Sequence, residues 1–157
     1  MATLKTGDHA PSLRLVDQDG KEVKLSDFKG KKLLLYFYPK ADTSGCTKQA
    51  CSIRDADPDF SDLGVAAVGI SPDKPAKLKK FDEKHGLGFV LLSDPDNSTA
   101  KAYGAWGEKK MYGKTYEGII RSSFLIDESG TVVEAWYNVK PLDTVPKARE
   151  ALDRMKD

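Results

Sequence analysis

The sequence has no long hydrophobic run and no excess of charge of either sign, and it contains only two cysteines. Its longest apolar run, residues 33–38, is far shorter than the roughly 20 residues that a helix needs to cross a bilayer, so we expect no membrane span. The first residues, MATLKTGDHAPSL, contain no apolar core of the kind that a secretory signal requires, which predicts a cytoplasmic protein. The net charge of +1 gives no field that would attract nucleic acid or acidic membranes, and we expect neither as a partner.

What the sequence does contain is enough apolar side chains for one core. Hydrophobic residues make up 39% and charged residues 31% of the 157 positions, which is typical of a folded protein. No internal repeat, low-complexity tract or Gly/Ser-rich linker divides the chain. We therefore expect a single domain, residues 1–157.

Hydrophobic periodicity in the first half predicts strands followed by a helix. Alternating apolar positions on both sides of Asp19-Gly20 predict an N-terminal β-hairpin. The continuously apolar run 31–39 predicts a strand that is buried on both faces. From residue 46 to residue 63 the apolar positions recur every three or four residues, which predicts an amphipathic helix that Pro58 kinks or interrupts.

The second half continues the alternation. Strands are predicted at 65–71 and 89–94, helices at 72–86 and 97–104, a second hairpin on either side of the turn ESG, and a last helix at the end of the chain. This order predicts the α/β class, with a mixed central sheet flanked by helices on both faces.

Both cysteines lie in the stretch FYPKADTSGCTKQACSIRD, residues 37–55. Cys46 follows the carboxyl end of a predicted buried strand, and reactive groups in open α/β sheets gather at that edge. In a reducing cytosol such a pair is more often catalytic, redox-sensing or metal-binding than a permanent disulfide.

Reactivity of a thiol at this place requires help from a cation. An ordinary thiol, with a pKa near 8.5, is only about 3% thiolate at pH 7, and the thiolate is the nucleophile. Lowering that pKa by about 1.5 units requires roughly 2 kcal/mol of preferential interaction with the anion. A helix N-terminus typically supplies about 0.3–1 kcal/mol, so we expect a buried cation beside the reactive cysteine.

Arg121 is the cation with unusual surroundings, because it lies in the segment 119–127, which otherwise predicts a core strand. An always-charged guanidinium at a buried position must be paired, since desolvation of an unpaired charge is costly. The residues alone leave two partners open, a thiolate or a structural carboxylate.

The spacing of Pro39, Thr43 and Cys46 follows the pattern P-x-x-x-T-x-x-C and resembles the active-site signature of the peroxiredoxins. Residues 37–55 resemble, nearly end to end, the active site of the Q type, also called bacterioferritin comigratory protein. MYGKTYEGIIRSSFLID resembles the second signature of that subfamily, and the N-terminal hairpin is similar too. The resemblance spans almost the whole chain. It implies a thioredoxin-like fold and a thiol-dependent peroxidase that reduces hydrogen peroxide and organic hydroperoxides.

The resemblance also implies a role for each matching residue. Cys46 would be the peroxidatic cysteine, whose thiolate attacks the peroxide, and Cys51 would be the resolving cysteine, which condenses with the resulting sulfenic acid to form an intramolecular disulfide. Thr43 would bond the peroxide through its hydroxyl, Arg121 would hold both thiolate and peroxide oxygen, and Pro39 would shield the pocket from water.

The same resemblance implies the partners. No metal or organic cofactor is needed, and thioredoxin is the expected reductant of the disulfide, with glutaredoxin or glutathione as alternatives. A monomer is expected, because the second thiol lies on the same chain. One departure is visible: Ser44 stands where many relatives have proline, from which we expect a small loss of preorganisation and no loss of chemistry.

The spacing of Cys46 and Cys51 imposes a mechanical condition. Five residues of α-helix advance about 7.5 Å and leave the two Cα atoms about 8–9 Å apart. A disulfide tolerates at most about 7 Å between Cα atoms. The disulfide therefore requires at least the first turns of the helix to unwind.

The sequence fits other functions and sites less well. A thiol–disulfide oxidoreductase or redox sensor usually carries C-x-x-C, and the wider C-x4-C disfavours it. A non-enzymatic domain with two merely buried cysteines would not explain the position of Arg121. His9 is expected to be solvated and His85 to complement a helix C-terminus. A zinc site made from both cysteines and both histidines fits none of the common ligand spacings.

Several further side chains have an expected environment and no assigned role. Trp106, Tyr112 and Trp136 are expected to be packing residues, and Tyr38 to form a wall of the reactive pocket. Gln49, one helical turn from Cys46, is left open between a local hydrogen bond and exposure to solvent.

Overall fold

The computed structural model of the protein describes residues 3–155. Its strands are β1 (Arg14–Asp17), β2 (Glu22–Lys24), β3 (Lys32–Phe37), β4 (Val65–Ser71), β5 (Val90–Ser93), β6 (Trp106–Met111), β7 (Lys114–Ile119), β8 (Ser122–Ile126) and β9 (Val132–Trp136). Its α-helices are α1 (Ser44–Asp62), α2 (Pro75–His85), α3 (Ser98–Ala102) and α4 (Thr144–Met155), and a 3-10 helix spans Leu25–Phe28. None of the helices within this part of the chain is both long and apolar enough to span a membrane.

Seven strands form one mixed sheet in the order β2-β1-β5-β4-β3-β8-β9. The central strand β3 pairs in parallel with β4 and antiparallel with β8, and β1 pairs antiparallel with both β2 and β5. The predicted mixed sheet, its N-terminal hairpin β1–β2 and its second hairpin β8–β9 are confirmed.

Strand β3 is buried on both faces, as its continuous apolar sequence predicts. On one face Leu33, Leu35 and Phe37 pack with residues of the hairpin and of α3. On the other face Leu34 packs against α1 and α4, and Tyr36 packs against α1 and α2. Helices therefore cover both faces of the sheet, and α1 crosses the face that carries the tyrosines.

Helix α1 runs without interruption from Ser44 to Asp62 and includes Pro58, so of the two predicted effects of this proline, a kink or an interruption, the interruption is wrong. Proline removes one intrahelical hydrogen bond, that to the carbonyl of Arg54. The apolar face of the helix, with Ile53, Ala56 and Phe60 each at most 2% exposed, continues past that point and holds the helix on the sheet.

A two-stranded sheet of β6 and β7 was missed by the sequence patterns. Its turn, Tyr112-Gly113, has positive φ at both residues, which is typical of a tight hairpin. Tyr112 is 97% exposed at this turn, so the expectation that it packs in the interior is wrong. Trp106 and Trp136 are partly buried against core clusters, as expected.

Arg121 does not lie within a strand. The predicted strand 119–127 is divided: Ile119 ends β7, and β8 begins at Ser122, so Arg121 lies at the junction between the small sheet and the large one. From this junction its side chain reaches Cys46 in α1.

Candidate active site

Cys46 lies in the first turn of α1 and is 1% exposed. It packs among Tyr36, Tyr38 and Ala50 in the cluster between the sheet and the helix. Cys51 lies farther along α1 and is partly buried, and both thiols are free. The two cysteines thus occupy one intact helix.

Arg121 meets Cys46. Its Nη2 donates a hydrogen bond to the sulfur of Cys46 over 3.4 Å. The backbone at the junction is fixed on both sides, because the Arg121 carbonyl accepts from the N–H of Val139 and the N–H of Ile120 donates to Ala105. The Ser122 hydroxyl also donates to the Ile120 carbonyl. Of the two partners left open for the guanidinium, the structure provides the thiol.

Gly45 permits this approach. A Cβ atom at Gly45 would lie 3.3 Å from Nη2 of Arg121 and 3.3 Å from a side-chain carbon of Pro141. These distances are tighter than ordinary van der Waals contact, so any larger residue would press on the guanidinium. The small residue next to Cys46 thus makes room for the cation.

Gln49 is fully buried and is the second group bound to the guanidinium. Nη1 of Arg121 donates to its Oε1 over 2.5 Å, and its own Nε2 donates to the Thr144 hydroxyl over 3.0 Å. The choice left open for Gln49 is therefore decided in favour of a hydrogen bond. One helical turn separates Gln49 from Cys46, so both side chains face the same cation.

Thr43 and Pro39 border the start of the helix. Thr43 is the N-cap residue of α1 and is exposed, and its hydroxyl donates to the Lys40 carbonyl over 2.9 Å. Its oxygen retains lone pairs that can accept a hydrogen bond. Pro39 is partly buried and follows β3. The first N–H groups of α1 have no acceptor within the helix and present a partial positive charge beside Cys46.

The loop between β3 and α1 is tied to α2. Asp42, which has a positive φ of 63°, accepts from Lys84 over 2.9 Å and lies 3.1 Å from Nε2 of His85. Hydrogen bonds first from Lys84 and then from His85 hold the pKa of Asp42 below its ordinary value. His85 ends α2, as expected, and its imidazole reaches across to this loop.

Two tyrosines wall the thiol on the side of the sheet. The rings of Tyr36 and Tyr38 are stacked, with centroids 5.4 Å apart, and each ring is at most 1% exposed. The Tyr36 hydroxyl has no hydrogen-bond partner among the described residues. It lies close to Gly69, where a Cβ atom would come within 2.8 Å of it. Burial, and next the neighbouring Tyr38, raise the pKa of Tyr36 well above its ordinary value.

The hairpin β6–β7 lies near the cation as well. Burial, and next the positive charge of Arg121, lower the pKa of Lys109 in β6. A cavity of about 520 Å³ lies elsewhere, beside Leu33 at the start of β3, and neither cysteine lines it. Within residues 3–155 no group of three or more His, Cys, Asp or Glu side chains is arranged to hold a metal ion.

The sequence and its family resemblance assigned Cys46, Arg121, Thr43 and Pro39 to the site, but they left the role of Gln49 open and missed Thr144. Gln49 carried a usable signal, because residues three apart on a helix share a face. Thr144 carried none, since a threonine at the start of a distant helix is an ordinary helix-initiating residue.

Comparisons with known proteins agree with one another. Residues 6–135 match the model of the AhpC/TSA family. The chain is 51% identical over 140 residues to peroxiredoxin Bcp of Escherichia coli K12, covering 89% of this chain and 90% of that protein. It is 46% identical over 155 residues to peroxiredoxin Bcp of Bacillus subtilis 168, covering 99% of each. Among solved structures, it is similar to the bacterioferritin comigratory protein of Xanthomonas campestris, described for its alkyl peroxide reduction activity, with a TM-score of 0.86, 34% identity and 92% of each chain covered.

Proposed function

Since the chain belongs to the AhpC/TSA family and is a thiol-dependent peroxidase of the Bcp or Q type with a thioredoxin-like fold, we propose that Cys46 is the residue that attacks the peroxide. The observation that carries this proposal is the 3.4 Å hydrogen bond from Arg121 to the sulfur of a buried Cys46. Arg121 thus supplies the cation that a reactive thiol at this place needs.

The chemistry at this place is a two-electron transfer. The Cys46 thiolate forms a bond to one peroxide oxygen while the O–O bond breaks, and the leaving oxygen departs as hydroxide or alkoxide, which takes up a proton. Positioning and stabilisation of the developing negative charge supply most of the acceleration in such a reaction. Arg121, the Thr43 hydroxyl and the first N–H groups of α1 are the donors and acceptors that line the start of the helix.

Pro39 and the burial of the thiol keep water from the reacting atoms in this proposal. Pro39 is partly buried between β3 and the loop, and Cys46 is only 1% exposed. The Thr43 hydroxyl proton is bound to Lys40, so the hydroxyl oxygen is oriented to accept a hydrogen bond from the peroxide.

The second half of the reaction uses Cys51. The sulfenic acid at Cys46 and the thiol of Cys51 form a disulfide and release water. Both residues lie on the intact helix α1, where helix geometry keeps their Cα atoms about 8–9 Å apart, so at least the first turns must unwind first. Local unwinding is therefore part of the proposed cycle.

An external dithiol then restores the two thiols. Thioredoxin is the proposed reductant, because opening of α1 exposes the disulfide to a protein of that kind. Hydrogen peroxide and organic hydroperoxides are the proposed substrates, in line with the alkyl peroxide activity of the Xanthomonas relative. The proposal includes one domain that acts as a monomer in the cytosol, where such dithiol systems keep cysteines reduced.

Peroxide consumption coupled to a thioredoxin system tests these roles in the wild type, Cys46→Ser and Cys51→Ser. We expect Cys46→Ser to consume no peroxide, and Cys51→Ser to consume one equivalent per chain and then stop. Arg121→Lys, which keeps the charge but loses the second fork of the guanidinium, should react at least tenfold more slowly, as a lost charge-stabilising donor does. Normal turnover by Cys46→Ser would overturn the proposal.

A further inference from the structure

The hydrogen bonds of Arg121 continue into the interior of the protein and end on two hydroxyl groups. Gln49 accepts from Arg121 and donates to Thr144 over 3.0 Å, and the Thr144 hydroxyl lies 2.9 Å from that of Ser123. Gln49, Thr144 and Ser123 are each 0% exposed, so water does not compete for these bonds. This series of hydrogen bonds connects the start of α4 to the sulfur of Cys46.

The chemistry of the donors leaves one consistent arrangement. A guanidinium has only N–H donors, so it needs the oxygen of the Gln49 amide and not its nitrogen. The amide nitrogen then points at Thr144 and needs an acceptor, which the Thr144 oxygen supplies. A further hydrogen bond joins the hydroxyls of Thr144 and Ser123, and either of the two can be its donor.

We propose that Thr144 is a positioning residue for the peroxidase reaction: by accepting a hydrogen bond from Gln49 it fixes the orientation of the amide, which holds the Arg121 guanidinium against the sulfur of Cys46. This inference rests on the proposed function, because it takes Cys46 as the attacking thiolate. Loss of the Thr144 hydroxyl would leave a buried amide N–H without a partner, and an unpaired buried donor costs free energy. The amide would turn or shift, and Arg121 would lose its fixed place.

The test isolates Cys46 in a Cys51→Ser background. Thr144→Val removes the hydroxyl at nearly constant volume, and Thr144→Ser keeps it. Thr99→Val, at another buried threonine on α3 across the sheet, is the matched control. Two quantities are measured for each variant: the rate constant for reaction with hydrogen peroxide, and the pH profile of Cys46 alkylation by iodoacetamide.

We expect Thr144→Val to react with peroxide about tenfold more slowly, the usual effect of removing an outer partner that orients a reactive group. Its alkylation profile should move to higher pH, because a less well held cation stabilises the thiolate less. Thr144→Ser and Thr99→Val should match the Cys51→Ser parent in both measurements. A merely structural role for Thr144 would change stability and leave the alkylation profile in place.

The inference is overturned if a folded Thr144→Val variant matches Thr144→Ser in both measurements. If Thr144→Val does not fold, side-chain amide exchange measured by NMR in the wild type decides: a protected Gln49 amide proton supports the bond to Thr144, and two rapidly exchanging protons exclude it. Failure of the proposed function is a separate result, because the Cys51→Ser parent itself would then not react with peroxide.

Discussion

Ser44→Pro tests whether α1 must open before the two cysteines can join. Ser44 is the first residue of the helix and is exposed, so its N–H has no acceptor within the helix. The preceding residue, Thr43, has φ −87° and ψ 158°, the extended conformation that proline demands of the residue before it. Proline is favoured at this helix position and should enter without strain.

The size of the effect follows from the conformational freedom that proline removes. A proline that fits the native backbone stabilises the ordered state by about 0.4–1 kcal/mol, chiefly by restricting the disordered one. The ordered state here is the wound first turn of α1, and the restricted state is the opened segment that brings the cysteines together. With 1.36 kcal/mol for each factor of ten, disulfide closure should slow about two- to fivefold. The reaction of Cys46 with peroxide needs the wound helix and should not slow.

The assay is a single turnover with one equivalent of hydrogen peroxide. Samples are quenched with an alkylating reagent at increasing times, and mass spectrometry separates sulfenic acid, disulfide and sulfinic acid. Slower closure gives the sulfenic acid more time to react with further peroxide, so in parallel samples that receive excess peroxide, sulfinic acid should accumulate at lower peroxide concentration than in the wild type. Ser44→Ala, which adds no ring, is the matched control and should behave as the wild type.

A Ser44→Pro variant that is more stable than the wild type but closes its disulfide at the same rate would refute the reasoning. So would an oxidised structure in which a Cys46–Cys51 bond coexists with the helix from Ser44 onwards. Either result would mean that the cysteines meet by a route that leaves the first turns wound.

Three further predictions concern the surroundings of the thiol. Tyr36→Phe should raise the free energy of unfolding by about 1 kcal/mol in urea titrations, because it removes a buried hydroxyl without a partner; a loss of stability would show that the hydroxyl is satisfied after all. Gly45→Ala should slow the reaction of Cys46 with peroxide about tenfold, since its Cβ presses on Arg121, while thermal stability is kept or raised by the better helix former; equal rates would contradict this. Asp42→Asn should lower stability at neutral pH and match the wild type in acid. The pKa of Asp42 is lower in the folded protein than in the unfolded chain, so the stabilisation from Lys84 and His85 is fully present above the unfolded-state pKa of about 3.9. It is lost as the pH falls through the folded-state pKa. A stability difference between the variant and the wild type that persists in acid would exclude the carboxylate as its source.

The sequence patterns were most reliable where one face, or both, of an element is buried. The run that forms β3 and the three- and four-residue spacing along α1 both report burial against a core, and burial is what fixes these elements in the structure. The predicted end of α2 at Gly86 is confirmed by its left-handed conformation, which glycine adopts without strain. Pro58 shows the limit of a local rule, because tertiary packing holds a helix through a residue that disfavours it.

The patterns failed where an element is polar and largely exposed. The hairpin β6–β7 carries charged residues along both strands, so no hydrophobic period marks it. Because this hairpin was not predicted, Arg121 was placed inside a strand, whereas it lies where the hairpin ends and β8 begins. The bond from Gln49 to Thr144 was beyond reach for another reason: it joins residues 95 positions apart, and no local pattern encodes such a contact.

The position of Gln49 between Cys46 and Cys51 has a consequence for the timing of the cycle. In the proposed cycle, opening of the helix to let the two sulfurs meet would also withdraw Gln49 from Arg121, so the guanidinium would lose this hydrogen bond while the disulfide exists. The same protein molecule would then be either ready to react with peroxide or ready to be reduced, and never both at once. Rewinding after reduction would restore the site in a single step, because the same turn of helix returns the sulfur and the amide together.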